Sequence, residues 1–184
     1  IMAALGEGDT EEWPREQSEQ ACLAAARIWQ ALGERLPKDA STRRRFALEC
    51  TRRANTCLKL GEFKQALQYR LAAVQLDPQD ASTHNHVAWA LAVCPDPGLR
   101  DPEQAVRSAS LAVQLRPKHV GCRNTLGVAH YRAGHWDAAI ESLHESDSLE
   151  GSVGSAYNAF FLAMAYWQIG NHDEARKWYD QAVR

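Results

Sequence analysis

The sequence lacks the features of a membrane protein, of a secreted disulfide-rich protein and of a zinc protein. No apolar run approaches the ~20 residues that a membrane-spanning helix needs, and the opening IMAALGEGDTEEW has no basic region typical of a signal peptide. The five cysteines are scattered and form no C-x-x-C pair, which argues against a disulfide framework and a zinc site. We therefore expect a cytoplasmic protein without membrane contact. Because Met follows Ile1, we also expect a piece of a longer chain or residual sequence at this end.

Motifs for catalysis and cofactor binding are absent as well. The chain has no G-x-S-x-G, no P-loop and no nucleotide-binding glycine pattern. Its seven histidines form neither H-x-x-x-H nor H-E-x-x-H, the spacings of zinc ligands on a helix. His130 stands where we expect a packed ring, so we favour a buried histidine there over a metal ligand. The sequence therefore predicts no enzyme activity, no catalytic residue, no metal and no cofactor.

Charge gives little reason to expect a nucleic-acid partner. The formal net charge is -2, whereas nucleic-acid-binding domains are typically basic. One local cluster of basic residues stands out, and a solvated helix face is favoured for it over a nucleic-acid patch. Its members are Arg43, Arg44, Arg45, Arg52 and Arg53.

What the sequence does contain is an internal repeat. The segments LGEFKQAL (60–67), AGHWDAAI (133–140) and IGNHDEAR (169–176) each combine a turn glycine, a bulky ring and an alanine. Those alanines, with one more in the same setting, are Ala66, Ala105, Ala139 and Ala175, and they are spaced by 39, 34 and 36 residues. A 34-residue period with two insertions explains this spacing and predicts stacked helical units.

These residues resemble the tetratricopeptide repeat (TPR) family, whose unit is a helix–turn–helix of 34 residues. The pairs Leu126-Gly127 and Leu162-Ala163 stand where the family has a large and a small residue before the turn. The resemblance implies an all-α superhelix of antiparallel helix pairs. It covers residues 47–184 as four units, at about 47–80, 81–119, 120–155 and 156–184. Arg53 and Arg70 depart from the pattern, which normally has an apolar and an aromatic residue there.

Residues before 47 match the family less clearly. We expect a flexible segment at 1–11 and a helical capping or partial repeat at 12–46, because EEWPREQSEQACLAAARIWQALGERL is rich in good helix formers. The sequence of this region also resembles bacterial TPR arrays at the C-terminus of multidomain proteins, some of which carry a serine/threonine kinase domain. No kinase motif occurs in this sequence.

The TPR resemblance also implies where a partner would bind, because the first helices of such units line a concave groove. Asparagines in this groove suit a peptide backbone, since an amide both donates and accepts, and the aromatic last unit suits an apolar anchor. Thr51 and Thr125 replace cations of the clamp that grips chaperone tails, which disfavours that partner. The partner-binding candidates are Asn55, Asn85, Trp89, Asn124, Tyr131, Tyr157, Phe160, Met164 and Trp167.

Two functions remain open at this point. The favoured one is a non-catalytic scaffold that binds a protein or peptide in the groove. The alternative is a regulatory or oligomerisation segment of a larger bacterial signalling protein, such as a serine/threonine kinase. In that case the aromatic residues at 157–167 pack on further helices, or form a homo-oligomer through the C-terminal repeat.

One stretch, CPDPGLRDP (94–102), crowds charged groups and prolines together. From Ala88 to Ala105 the chain takes seventeen residues, where the other units take twelve, so the whole insertion lies here. Asp101 suits a helix N-cap and Pro102 a first helical position. We expect a lengthened, stiffened turn between two helices; the alternative is a contact surface.

Overall fold

The computed structural model describes residues 39–150 and 156–183. All of these residues belong to one compact part of the chain. The predicted flexible segment 1–11, and residues 12–38 of the predicted capping region, lie outside the described residues. The bounds that the sequence predicts for the domains stay predictions.

Eight α-helices and no strand make up the part of the chain that the structure describes. Successive helices pack as antiparallel pairs, called units 1 to 4 below, and each unit packs on the next. The predicted all-α architecture of stacked helix pairs is confirmed for these residues. The helices are α1 (Ala40–Lys59), α2 (Phe63–Leu76), α3 (Ala81–Val93), α4 (Pro102–Leu115), α5 (Val120–Arg132), α6 (Trp136–Glu150), α7 (Ala156–Gln168) and α8 (His172–Ala182).

Side-chain caps and turn glycines set the helix ends. The carboxylates of Asp39 and Asp80 each accept hydrogen bonds from the first backbone amides of α1 and α3, which would otherwise lack acceptors. The turns within units 1, 3 and 4 each contain a glycine with positive φ, namely Gly61, Gly134 and Gly170 at 77°, 79° and 79°. Because other residues adopt this conformation at a cost, the predicted turn role of the three glycines is confirmed.

Small residues let the two helices of a unit approach closely. Ala54 and Ala88 are fully buried in units 1 and 2. In unit 3 the contact is tighter still, since a Cβ atom added to Gly127 would lie 2.6 Å from Cγ of the buried Leu143. In unit 3 the large side chain of the second helix therefore fills the space that the missing Cβ leaves.

The CPDPGLRDP stretch forms the predicted turn. After α3 ends at Val93, residues Pro97–Leu99 form one 3₁₀ turn. Asp101 accepts a hydrogen bond from the Gln104 amide at 2.9 Å and Pro102 begins α4. Sequence reasoning assigned no role to Arg100, whose Nε donates to the Cys94 carbonyl oxygen at 2.6 Å. These bonds tie the insertion to the end of α3 and explain its composition without a chemical site.

We expect Gly127→Ala to lower the free energy of unfolding by about 1–3 kcal/mol, because the new methyl group collides with Leu143 in a packed core. Leu143→Ala alone leaves a cavity and costs about 2–5 kcal/mol. The double variant should lose less than the sum, since each change relieves the other. Urea unfolding measures all three. Gly121→Ala is the control, because its Cβ meets only the ring of the exposed His119; fully additive losses would contradict the contact.

Candidate functional site

A row of four aromatic rings connects the first helices of units 2, 3 and 4. Trp89 of α3 contacts Tyr157 of α7, with ring centroids 5.6 Å apart. Tyr157 contacts Phe161 at 5.1 Å, and Phe161 meets Tyr131 of α5 edge-on at 5.4 Å. We call these four residues the aromatic row. Three of them are predicted site residues, so the fold brings together predicted positions from three different repeats.

The rings of the aromatic row differ in how much of their surface is exposed to solvent. Phe161 is buried, Trp89 and Tyr131 are half-buried, and Tyr157 is exposed. Burial of part of its ring raises the pKa of the Tyr157 hydroxyl, and the nearby Arg132 opposes that shift. Tyr157 is therefore neutral at physiological pH, with an apolar ring and one hydroxyl that can donate or accept a hydrogen bond.

The three predicted asparagines lie in different environments. Asn55 on α1 is exposed and takes part in no contact of the aromatic row. Asn85 is half-buried, and its Oδ1 atom is buried without a hydrogen-bond partner. The Nδ2 group of Asn124 donates to Oδ1 of Asn158 on α7. The Asn85 Oδ1 atom is thus enclosed by the protein, and the Asn124 donor already links units 3 and 4.

Asn124 belongs to a buried network of hydrogen bonds between units 3 and 4. Asn158 is buried and donates from Nδ2 to Oδ1 of Asp147 at 2.5 Å. Ser146 in turn donates to the Val120 carbonyl oxygen at 3.2 Å. Because unpaired polar groups are costly inside a protein, this network specifies how unit 4 packs on unit 3.

The remaining site predictions lie around an open cleft in unit 4. Met164 and Trp167 line it together with Tyr131, and its volume is about 690 Å³. Phe160 lies beside it, with its ring centroid 6.2 Å from that of Tyr179. The helix α8 supplies the rest of the lining, including Asp173, Arg176, Tyr179 and Asp180. Sequence reasoning missed these α8 residues because it restricted the site to first helices.

The repeat register shows what this cleft corresponds to. Met164 and Tyr179 occupy the positions that Val128 and Leu143 occupy in unit 3. Val128 and Leu143 are each 0% exposed, whereas Met164 is 38% and Tyr179 54% exposed. We call the exposed surface formed by Phe160, Met164, Trp167, Tyr179 and Val183 the unit 4 face. Comparing Tyr179 with Leu143 in the aligned repeats was the sequence signal that could have found it.

Arg70, a predicted departure from the repeat pattern, has a structural role. Its side chain is buried, and an Nη1 group donates to the His86 carbonyl oxygen at 2.9 Å. Burial lowers the pKa of this guanidinium. Arg70 therefore links unit 1 to unit 2 at the position where unit 3 has Leu143.

The histidines are also mostly packed rather than arranged as ligands. His84 is buried with Nε2 3.0 Å from the Pro78 carbonyl oxygen. His130 is half-buried, with its Nδ1 3.4 Å from Nδ1 of His135, and Nε2 of His135 lies 3.6 Å from a Glu103 carboxylate oxygen. Within residues 39–150 and 156–183, no group of three or more His, Cys, Asp or Glu side chains has the geometry to hold a metal ion. None of the described helices is both long and apolar enough to cross a membrane.

Comparisons with known proteins agree with this geometry. A tetratricopeptide repeat model matches residues 50–80 and 156–184, which lie in units 1 and 4. No match was found among curated proteins. Among solved structures, MamA of AMB-1 is similar with a TM-score of 0.65 and 17% identity, over 90% of this chain and 90% of that chain. TTC0263, a thermophilic TPR protein of Thermus thermophilus, is similar with a TM-score of 0.57 and 24% identity, over 92% and 85% of the two chains.

A third similar structure holds a ligand. It is the first TPR domain of Spaghetti (RPAP3) bound to the HSP90 peptide SRMEEVD, with a TM-score of 0.61 and 17% identity, over 69% of this chain and 95% of that chain. At these identities the comparisons establish the fold. The array of helix pairs is a TPR superhelix, as the repeat in the sequence predicted.

We expect acid to destabilise this array partly through His86 and His130. Burial lowers the pKa of both imidazoles below the ordinary 6.5; Arg70 also lowers that of His86, and His135 that of His130. The unfolded chain then binds more protons, so the free energy of unfolding falls as the pH drops below about 6.5. Urea unfolding across this range should show a shallower loss for His130→Gln than for the unchanged chain. The exposed His172 provides the control, His172→Gln; equal slopes for the His130 variant and the unchanged chain would contradict the shift.

Proposed function

We propose that this chain is a non-catalytic scaffold that binds a protein or peptide segment along the concave side of its first helices. The observation that carries the proposal is the aromatic row, in which rings from three successive first helices are in contact and Tyr157 is exposed. Aromatic side chains dominate the energetics of protein interfaces because they bury a large area at little entropic cost. The fold supports the same role, since a TPR domain of similar architecture holds an HSP90 peptide.

The available groups suit an apolar segment. An apolar side chain of the partner packs on Trp89 and Tyr157, whose rings are half-buried and exposed. A strongly acidic tail fits less well, because Thr51 donates its hydroxyl to the Ala47 carbonyl oxygen and Thr125 is buried. Neither position offers a cation. The partner we propose is therefore an apolar peptide segment rather than an acidic chaperone tail.

A second function is favoured by the unit 4 face. Exposed large apolar side chains in one patch mark interaction surfaces, and this patch lies apart from the Trp89 end of the aromatic row. It supports the alternative of an oligomerisation or regulatory segment within a larger signalling protein. The bacterial origin, the cytoplasmic location and the fusion to a kinase domain remain predictions from the sequence.

The peptide site is tested with a phage-displayed random peptide library panned on the full chain. We expect the selected peptides to bind at least tenfold more weakly to Trp89→Ala and Tyr157→Ala, measured by fluorescence anisotropy. Asn85→Ala should weaken binding less, since the side-chain oxygen of Asn85 is buried and out of reach of the peptide. Trp136→Ala is the matched control, because Trp136 is an exposed ring that begins α6. Unchanged affinity in the Trp89 and Tyr157 variants, with their helicity intact by circular dichroism, would sink the proposal.

A further inference from the structure

The contact between units 3 and 4 shows how one unit packs on the first helix of the next. Tyr131, near the end of α5, packs edge-on against Phe161 of α7. In the repeat register Trp167 stands at the Tyr131 position of unit 4, and Arg52 stands at the Phe161 position of unit 1. Unit 3 thus contacts the first helix of unit 4, with the residue at the Tyr131 position of one unit against the residue at the Phe161 position of the next.

Both of these side chains are exposed in the described part of the chain. Trp167 is 61% exposed and forms the rim of the cleft in the unit 4 face. Arg52 has a side chain 81% exposed on α1, and its neighbour Arg53 is 47% exposed. Arg53 occupies the position where units 2 and 4 have the buried Val87 and Leu162. The equivalent surface of α1 is thus basic instead of apolar.

Unit 1 is strongly basic, whereas unit 4 is slightly acidic. The helices α1 and α2 contain eight Arg and Lys residues against one acidic residue, Glu49. The helices α7 and α8 contain three Asp and Glu residues against two basic ones. The charged residues that line the cleft are Asp173, Asp180 and Arg176. The cleft thus offers two carboxylates against one cation to an incoming arginine.

We propose that the unit 4 face binds α1 of a second copy of this chain, head to tail. Arg52 of the second copy enters the cleft and lies against the ring of Trp167, in the place that Phe161 takes against Tyr131. Tyr179 forms the other wall, because the same position in unit 1, Arg70, contacts the backbone of the next first helix at His86. The contact does not depend on the peptide site proposed above.

The chemistry of this contact suits an arginine. A guanidinium stacks on aromatic faces and pairs with carboxylates at the same time, and Trp, Tyr and Arg are the residues most enriched at the centres of interfaces. The unit 4 face and α1 are different surfaces, so the contact is heterologous and each added copy brings a further α1 and a further unit 4 face. Association should therefore continue beyond a dimer as concentration rises, and salt should weaken it by screening the charges.

Sedimentation velocity of the full chain over a range of concentrations tests this model. We expect species that grow beyond a dimer, and less association at about 0.5 M than at about 0.05 M salt. Trp167→Ala and Arg52→Glu should each raise the concentration needed for association at least tenfold. The matched controls are Trp136→Ala on α6 and Arg107→Glu on α4, where Arg107 is exposed; they make the same chemical changes and should leave association unchanged. A monomer at every concentration would overturn the proposal.

Mixing the two variants gives the sharper result. Trp167→Ala keeps an intact α1, and Arg52→Glu keeps an intact unit 4 face, so the mixture should form a 1:1 dimer that stops growing. If Arg52→Glu associates like the unchanged chain while Trp167→Ala does not, two unit 4 faces bind each other and the head-to-tail model is wrong. Peptide affinity at the aromatic row should be the same in both variants, so failure here leaves the peptide site standing.

Discussion

The structure depends on one steric constraint, the close approach of two helices at a small residue. Gly127 has no room for a Cβ atom because Leu143 occupies that space, and Ala54 and Ala88 do the same task in units 1 and 2. A helix pair formed in this way buries its inner surfaces but leaves another face apolar. Each pair must therefore cover the next, which is why the fold is a stack and why its units repeat.

Units differ in what fills one shared position on the second helix. Arg70, Ala109, Leu143 and Tyr179 occupy that position in units 1 to 4. Ala109 and Leu143 are fully buried, and the buried guanidinium of Arg70 donates to the backbone of α3. Tyr179 keeps more than half of its surface exposed. The same repeat register that stabilises the array therefore leaves unit 4 with aromatic surface available for association.

Local rules predict most of this fold from the sequence. The repeat period, the turn glycines Gly61, Gly134 and Gly170, and the Asp101 cap with Pro102 each depend on residues close together in the chain, so spacing alone reveals them. The site is harder to predict, because the contact of Trp89 with Tyr157 joins helices from units 2 and 4 across α5. Phe161 and Tyr179 were missed for the same reason. Their roles depend on how the units stack, and the sequence of a single repeat does not contain that information.

Tyr131 belongs to both candidate surfaces, since its ring contacts Phe161 in the aromatic row and lines the cleft of the unit 4 face. Phe161 is buried, so the Tyr131 ring is supported from one side by the core. The two surfaces thus share one supported ring but differ in their other residues, Trp89 and Tyr157 in one and Trp167 and Tyr179 in the other. Trp89 lies on the first helix of unit 2, whereas Trp167 lies on the first helix of unit 4. Association and peptide binding therefore meet at Tyr131 and separate at these two tryptophans.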